Sequence, residues 1–105
     1  DYVHVTDLAD AHVRALEYLE SGGASLAMNL GAGSGYTVRQ VVGAVETVVG
    51  KPVAVRIAPR RQGDARELVA DASLARRVLG WRCRYSDLPV MVETAWRWLA
   101  RERGT

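Results

Sequence analysis

Residues 26–38 have the sequence Leu-Ala-Met-Asn-Leu-Gly-Ala-Gly-Ser-Gly-Tyr-Thr-Val, in which an apolar run precedes a glycine-rich turn and a helix cap. The run at 26–30 is short and ends at glycine, which is typical of a buried strand. Thr37 and Gln40 have the spacing of a capping box, and valines recur at helical spacing to about Val49. This stretch predicts a strand, a tight turn and an amphipathic helix, the repeating unit of an α/β fold.

The segments on either side continue the alternation. Residues 2–5 alternate like a strand, and Thr6 or Asp7 is expected to cap a helix that runs to about Glu20. Residues 53–58 alternate in the same way and predict a further strand. Because the chain starts inside a strand-like segment, we expect it to be a piece of a longer protein.

Two helices are predicted in the last third of the chain. The first starts at Asp71 or Ser73 and stops at Gly80, since glycine readily adopts the left-handed conformation that ends a helix. Ser86 is expected to cap the second, which runs to about Glu102. The predicted fold class is therefore α/β, with short strands alternating with about four helices.

The glycine-rich turn departs from a dinucleotide-binding fingerprint. The fingerprint spacing is G-x-G-x-x-G, whereas glycines here stand at 31, 33 and 35, and position 36 is Tyr. The residues about 20 positions further on are Gly50-Lys51-Pro52, where the fingerprint expects an acidic residue after a strand. The spacing therefore favours a tight turn over a cofactor site.

Composition limits the classes of function. The chain has 105 residues, enough for one domain, and 49% are hydrophobic, but no apolar run is long enough to cross a bilayer. The single cysteine, Cys83, fits a reducing cytoplasm. Residues 1–59 hold four Lys and Arg against six Asp and Glu, and residues 60–105 hold ten against six. An anionic ligand near the second half is expected, but not nucleic acid, because no aromatic platform accompanies the dispersed arginines.

Several residue types that often carry chemistry are assigned structural roles. His4 and His12 lie on different elements without a carboxylate cluster, and His4 is expected to be buried and hydrogen-bonded through its ring nitrogens. Cys83 is expected to be a structural thiol. The three tryptophans are expected to pack in the core: Trp81, Trp96 and Trp98.

The run Pro59-Arg60-Arg61-Gln62-Gly63-Asp64 follows the third predicted strand and is the strongest candidate for a ligand site. An arginine guanidinium matches phosphate oxygens with a planar fork of donors. A carboxylate accepts hydrogen bonds from a vicinal sugar diol, and glycine lets the backbone approach a ligand. This combination suits a nucleotide diphosphate, while a solvated arginine pair in a loop is the alternative.

Together these residues resemble the C-terminal portion of the UDP-glucose 4-epimerases, NAD-dependent members of the extended short-chain dehydrogenases/reductases. The blocks that carry the resemblance lie at 1–13, 29–38, 50–53, 58–64, 70–75 and 79–81. The first two are shared by many nucleotide-sugar epimerases and dehydratases, whereas Pro-Arg-Arg-x-Gly-Asp at 59–64 is more specific for the 4-epimerases. The resemblance covers nearly the whole chain.

The resemblance implies the C-terminal substrate-binding part of a Rossmann-type fold. Residues 1–50 would pack on or complete an NAD-binding domain outside this chain, and residues 51–105 would form the substrate lobe. NAD would be bound by that other domain, a UDP-sugar would be the partner, and the intact protein would be a cytoplasmic homodimer of galactose and carbohydrate metabolism.

The resemblance also implies roles for individual residues. Arg61 would bind the UDP diphosphate, and Asp64 would accept a hydrogen bond from the uridine ribose. Arg60 would be a supporting charge or a member of a structural pair. Leu68 would border the sugar pocket, and since Leu is smaller than Tyr, a 2-acetamido group could fit. Turnover of UDP-N-acetylglucosamine by the intact enzyme would test that hypothesis.

The family's acid/base pair, Tyr-x-x-x-Lys, is not found in this chain. The residues four positions after its tyrosines are Thr6, Gly22, Gln40 and Pro89. No catalytic residue is therefore predicted here, and the isolated chain is expected to be inactive. Two alternatives stay open: another nucleotide-sugar epimerase or dehydratase of the same superfamily, and a non-catalytic nucleotide-sugar-binding module.

Overall fold

The computed structural model describes residues 1–102 and has four helices joined by turns and irregular segments. The helices are α1 (Val5–Glu20), α2 (Val38–Val49), α3 (Ser73–Leu79) and α4 (Leu88–Glu102). They pack in two pairs, α1 against α3 and α2 against α4. Each pair joins a helix from the first half of the chain to one from the second half, so both interfaces hold the two halves together.

No strand forms within residues 1–102, which corrects the strands predicted at 2–5, 26–30 and 53–58. A strand needs a neighbour that satisfies its backbone N–H and C=O groups, and none of these segments has a strand partner among the described residues. The apolar side chains of Leu26 and Ile57 are accordingly exposed, by 51% and 83%. The sequence of these segments is typical of strands, but strand pairing depends on a partner that residues 1–102 do not supply.

The first helix begins earlier than predicted, and His4 caps it instead of Thr6 or Asp7. The Nδ1 atom of His4 accepts the backbone N–H of Thr6 at 3.0 Å. Its Nε2 atom lies 2.9 Å from the hydroxyl of Thr94 on α4. His4 is therefore hydrogen-bonded through both ring nitrogens, as expected, although it is half-buried where full burial was expected. It ties the start of α1 to α4.

The second helix confirms the capping box. The Thr37 hydroxyl accepts the Gln40 N–H at 3.0 Å, and the Gln40 side chain accepts the Thr37 N–H at 2.8 Å. The helix ends at Gly50, whose φ of 79° lies in the left-handed region that favours glycine. Local sequence alone determines both ends of α2.

The last helix starts at Leu88, and its first turn is capped by Asp87 in place of the predicted Ser86. A side-chain oxygen of Asp87 accepts the N–H of Val90 at 3.1 Å. Ser86 is instead buried, and its hydroxyl oxygen accepts the N–H of His4 at 2.9 Å. A buried serine with long-range partners looks like a cap in sequence because both roles use a hydroxyl before an apolar run.

The core is small and lies between α1, α3 and the loop that follows α3. Its buried members are Ala11, Ala72, Ala75 and Trp81. Trp96 and Trp98 are 43% and 60% exposed, so the prediction that all three tryptophans lie in the core is wrong for these two. The molecule measures 51 × 38 × 18 Å, and the short dimension leaves room for about two helix layers.

A buried carboxylate organises this core. Asp7 is 2% exposed, and its oxygens accept the N–H groups of Arg84 at 2.9 Å and Tyr85 at 3.0 Å, together with the Ser86 hydroxyl at 2.5 Å. Burial acts to raise the pKa of the Asp7 carboxyl, but these hydrogen bonds outweigh burial and hold the pKa below its ordinary value of 3.8. The backbone carbonyl of Asp7 also accepts the indole N–H of Trp81 at 2.8 Å.

Candidate functional site

The arginine-rich run at 59–64 forms an exposed turn. Gly63 has a φ of 86°, a conformation that glycine adopts without strain, and the N–H of Asp64 donates to the carbonyl of Arg61 at 3.3 Å. The turn brings the side chains of Arg61 and Asp64 together, with the Nε of Arg61 3.0 Å from a carboxylate oxygen of Asp64. The structure therefore joins the two residues that sequence predicts for phosphate and ribose.

The electrostatics of this pair leave it open to a ligand. The side chains of Arg61 and Asp64 are 85% and 44% exposed. An exposed ion pair contributes about 0–1 kcal/mol, so a charged ligand can replace it at little cost. The pair uses the Nε–H of Arg61, while its Nη groups lie outside the pair and can donate to an anion.

Arg60 and Leu68 lie on the same loop but in different surroundings. Arg60 is exposed and has no ion pair within residues 1–102. Leu68 is 77% exposed and lines an open depression with Tyr36, Arg66 and Glu67. The structure thus places Leu68 beside the glycine-rich turn, whereas Arg60, Arg61 and Asp64 lie outside the lining of that depression.

Sequence reasoning missed one residue at this site. The carboxylate of Asp1 accepts the N–H of Ala32 at 3.2 Å and the N–H of Ala70 at 2.9 Å, and its terminal ammonium donates to the carbonyl of Leu68 at 2.7 Å. We call this contact, formed by Asp1, Gly31, Ala32, Leu68 and Ala70, the Asp1 junction. No local pattern signals this junction, because the residues that bond to the Asp1 carboxylate lie 31 and 69 positions after Asp1 in the sequence.

The histidines, the cysteine and the acidic side chains of residues 1–102 do not form a metal site. No group of three or more His, Cys, Asp or Glu side chains within residues 1–102 could hold a metal ion. His12 makes a local contact, with Nδ1 2.7 Å from the carbonyl of Leu8 in the preceding turn. The thiol of Cys83 lies 3.8 Å from the carbonyl of Gly31, which agrees with a structural role. No helix in this part of the chain is long and apolar enough to span a lipid bilayer.

Comparison with known proteins finds similar sequences and similar structures. No protein-family model matches the chain. A UDP-glucose 4-epimerase from Rhizobium meliloti is 52% identical over 101 residues, which are 96% of this chain and 30% of that protein. The crystal structure of a UDP-glucose 4-epimerase from Bifidobacterium longum in complex with NAD+ and UDP aligns with 98% of this chain and 30% of its own, at 36% identity and a TM-score of 0.89. A further UDP-glucose 4-epimerase structure covers all of this chain and 32% of its own, at 40% identity and a TM-score of 0.92.

The fold is similar to part of the Rossmann-type epimerase class, to which its structural neighbours belong. Within that class the predicted resemblance to the C-terminal portion of the UDP-glucose 4-epimerases is confirmed. The chain spans about 30% of the length of the relatives it matches.

Proposed function

We propose that this chain is the UDP-sugar-binding part of an NAD-dependent UDP-glucose 4-epimerase, which interconverts UDP-glucose and UDP-galactose through a 4-keto intermediate. The observation that carries the proposal is the exposed Arg61–Asp64 pair on the turn at Gly63. Support comes from the 52% identity with a UDP-glucose 4-epimerase and from the UDP in a structurally similar epimerase.

In this proposal the chain binds and orients the substrate. The Nη groups of Arg61 donate to the diphosphate, and the Asp64 carboxylate, released from its ion pair, accepts from the ribose hydroxyls. Arg60 adds positive charge beside the diphosphate. Leu68 borders the sugar, where a side chain smaller than Tyr leaves room for a 2-acetamido group.

NAD is assigned to a part of the protein outside this chain, because the glycine spacing departs from the dinucleotide fingerprint and protein atoms cover Gly31. A Cβ at Gly31 would lie 2.5 Å from the Asp1 carboxylate and 2.6 Å from the Cβ of Ala70, so protein atoms occupy the space in front of this glycine. The acid/base residues are assigned to that other part as well. The isolated chain is accordingly expected to show no epimerase activity.

The remaining features of the proposal concern the intact protein. Residues 1–50 pack on or complete the NAD-binding domain, residues 51–105 form the substrate lobe, and the intact protein is a cytoplasmic homodimer. The exposed apolar side chain of Leu26 supports this proposal, since strand pairing with that domain would cover the segment at 26–30. We therefore propose that 26–30 becomes a short strand of that domain's sheet and 53–58 a short strand of the substrate lobe.

The test is UDP binding by the full-length protein, measured by calorimetry. The Arg61→Ala change is expected to weaken binding by about 1.5–3 kcal/mol, the range for a hydrogen bond to a charged group. Arg97→Ala is the matched control, because Arg97 also forms an exposed ion pair, 2.6 Å from Glu93, in another part of the molecule. An Arg61→Ala dissociation constant equal to that of the control would refute the role given to Arg61.

A further inference from the structure

Within residues 1–102, hydrogen bonds tie the segment that carries the candidate site to the rest of the molecule near its two ends. Residues 53–70 contain neither helix nor strand. Among the described residues, carboxylates elsewhere in the molecule accept backbone N–H groups of this segment at two points: Val53 donates to Glu46 at 2.9 Å, and Ala70 donates to Asp1 at 2.9 Å. The turn at Gly63 fixes the local shape of the loop but not its position.

The C-terminal end of this segment contacts Asp1, and Asp1 is itself anchored to the folded core. Three residues after Asp1, His4 caps α1, and its N–H donates to the buried hydroxyl of Ser86. Asp1 is thereby held close to a fixed helix end. Its two carboxylate oxygens then accept from Ala32 in the glycine-rich turn and Ala70 beyond the arginine loop, so one side chain joins two loops to the start of α1.

The glycine-rich turn is shaped to admit this contact. Gly31 does not have a positive φ, unlike Gly33 in the same turn, so its backbone conformation does not demand glycine. The lack of room around Gly31 does demand glycine, because a Cβ at this position would collide with the carboxylate of Asp1 and with Ala70. The close approach of the two loops therefore depends on a missing side chain on one side and a carboxylate on the other.

We propose that Asp1 is a positioning residue for the nucleotide-sugar site. By holding the C-terminal arm of the arginine loop against the glycine-rich turn, it determines where Arg61, Asp64 and Leu68 stand relative to the rest of the substrate site. It touches no substrate atom in this proposal and acts through Arg61. The inference rests on the proposed function and adds to it a residue that sets the geometry of the same site.

The experiment is a double-mutant cycle on UDP binding by the full-length protein, followed by calorimetry. The variants are Asp1→Asn, Arg61→Ala and the double variant. Asparagine has the shape of aspartate but turns an N–H group toward one of the two backbone donors. Asp1→Asn is expected to raise the dissociation constant about tenfold in the parent and less than about twofold in the Arg61→Ala background. Asp87→Asn is the control, since that carboxylate also accepts a backbone N–H but within its own helix start.

A merely structural role gives a different pattern. Loss of folded protein would lower the fraction of binding-competent molecules and the unfolding midpoint, but the dissociation constant of the folded fraction would stay unchanged.

Gly31→Ala tests the same junction at the residue that faces Asp1. The same tenfold loss of UDP affinity and the same dependence on Arg61 are expected for this variant.

The outcomes separate this inference from the proposed function. If Arg61→Ala leaves UDP binding unchanged, the role of the arginine loop fails. If Arg61→Ala weakens binding while Asp1→Asn and Gly31→Ala do not, the positioning role is overturned and the proposed function stands. Equal losses from Asp1→Asn in both backgrounds would likewise overturn it, because an additive effect cannot act through Arg61.

Discussion

Two aspartates of this chain accept hydrogen bonds in opposite environments, and their surroundings decide what each can do. Asp64 is 44% exposed and pairs with one exposed guanidinium, so a ligand can compete for it. Asp7 is 2% exposed and accepts from two backbone N–H groups and a hydroxyl, so its bonds hold the structure together. Sequence cannot separate the two roles, because exposure depends on elements far along the chain.

Asp7→Asn is expected to lower the free energy of unfolding of the full-length protein by about 1–3 kcal/mol at pH 7. The amide has the same shape as the carboxyl, but its N–H₂ would face donors that need an acceptor. Urea unfolding measures the effect, and Asp10→Asn is the control, since Asp10 is half-exposed in a local pair with Arg14. Equal stability of the two variants would contradict the role of Asp7.

The lowered pKa of the Asp7 carboxyl predicts that the free energy of unfolding depends on pH. Its folded pKa lies below its ordinary value of 3.8, so its contribution to stability is present above that value and is lost as the pH falls through the folded pKa. The difference in unfolding free energy between the parent and Asp7→Asn should therefore be constant from pH 5 to 7 and shrink below about pH 4. A difference that grows on acidification would contradict this linkage.

At the scale of elements, sequence predicts the helices well and the strands poorly. The capping box at Thr37 and Gln40 and the glycine at position 50 are local signals, and α2 forms between them. Strands need partners, and the apolar segments at 26–30 and 53–58 have none within residues 1–102. The candidate site shows the same division, since the turn at Gly63 follows from local sequence, whereas the Asp1 junction does not.

Thr37→Ala tests the local signal. Loss of the capping hydroxyl is expected to lower the free energy of unfolding by about 1 kcal/mol, because the N–H of Gln40 loses its acceptor. Thr47→Ala in the same helix is the matched control, since the Thr47 hydroxyl bonds only to the carbonyl of Gly43 one turn earlier. If Thr37→Ala and Thr47→Ala change the urea midpoint equally, the cap does not stabilise α2.

At the scale of the whole molecule, the charge distribution and the exposed apolar surface are both consistent with the proposed function. The arginine loop belongs to the half of the chain with excess positive charge, which favours an anionic ligand. The α1–α3 and α2–α4 pairs connect this half to the first half, so the loop is mounted on a shared framework. The apolar side chain of Leu26 stays uncovered on that framework, and in the proposed intact enzyme the NAD-binding part covers it.

The most direct test of this account is the conversion of UDP-galactose to UDP-glucose by the full-length protein, with the chain of residues 1–105 assayed beside it. The account predicts interconversion by the full-length protein with bound NAD, and no turnover above a buffer blank by residues 1–105 alone with added NAD. A full-length protein that binds UDP but does not interconvert the two sugars would contradict the proposed epimerase function.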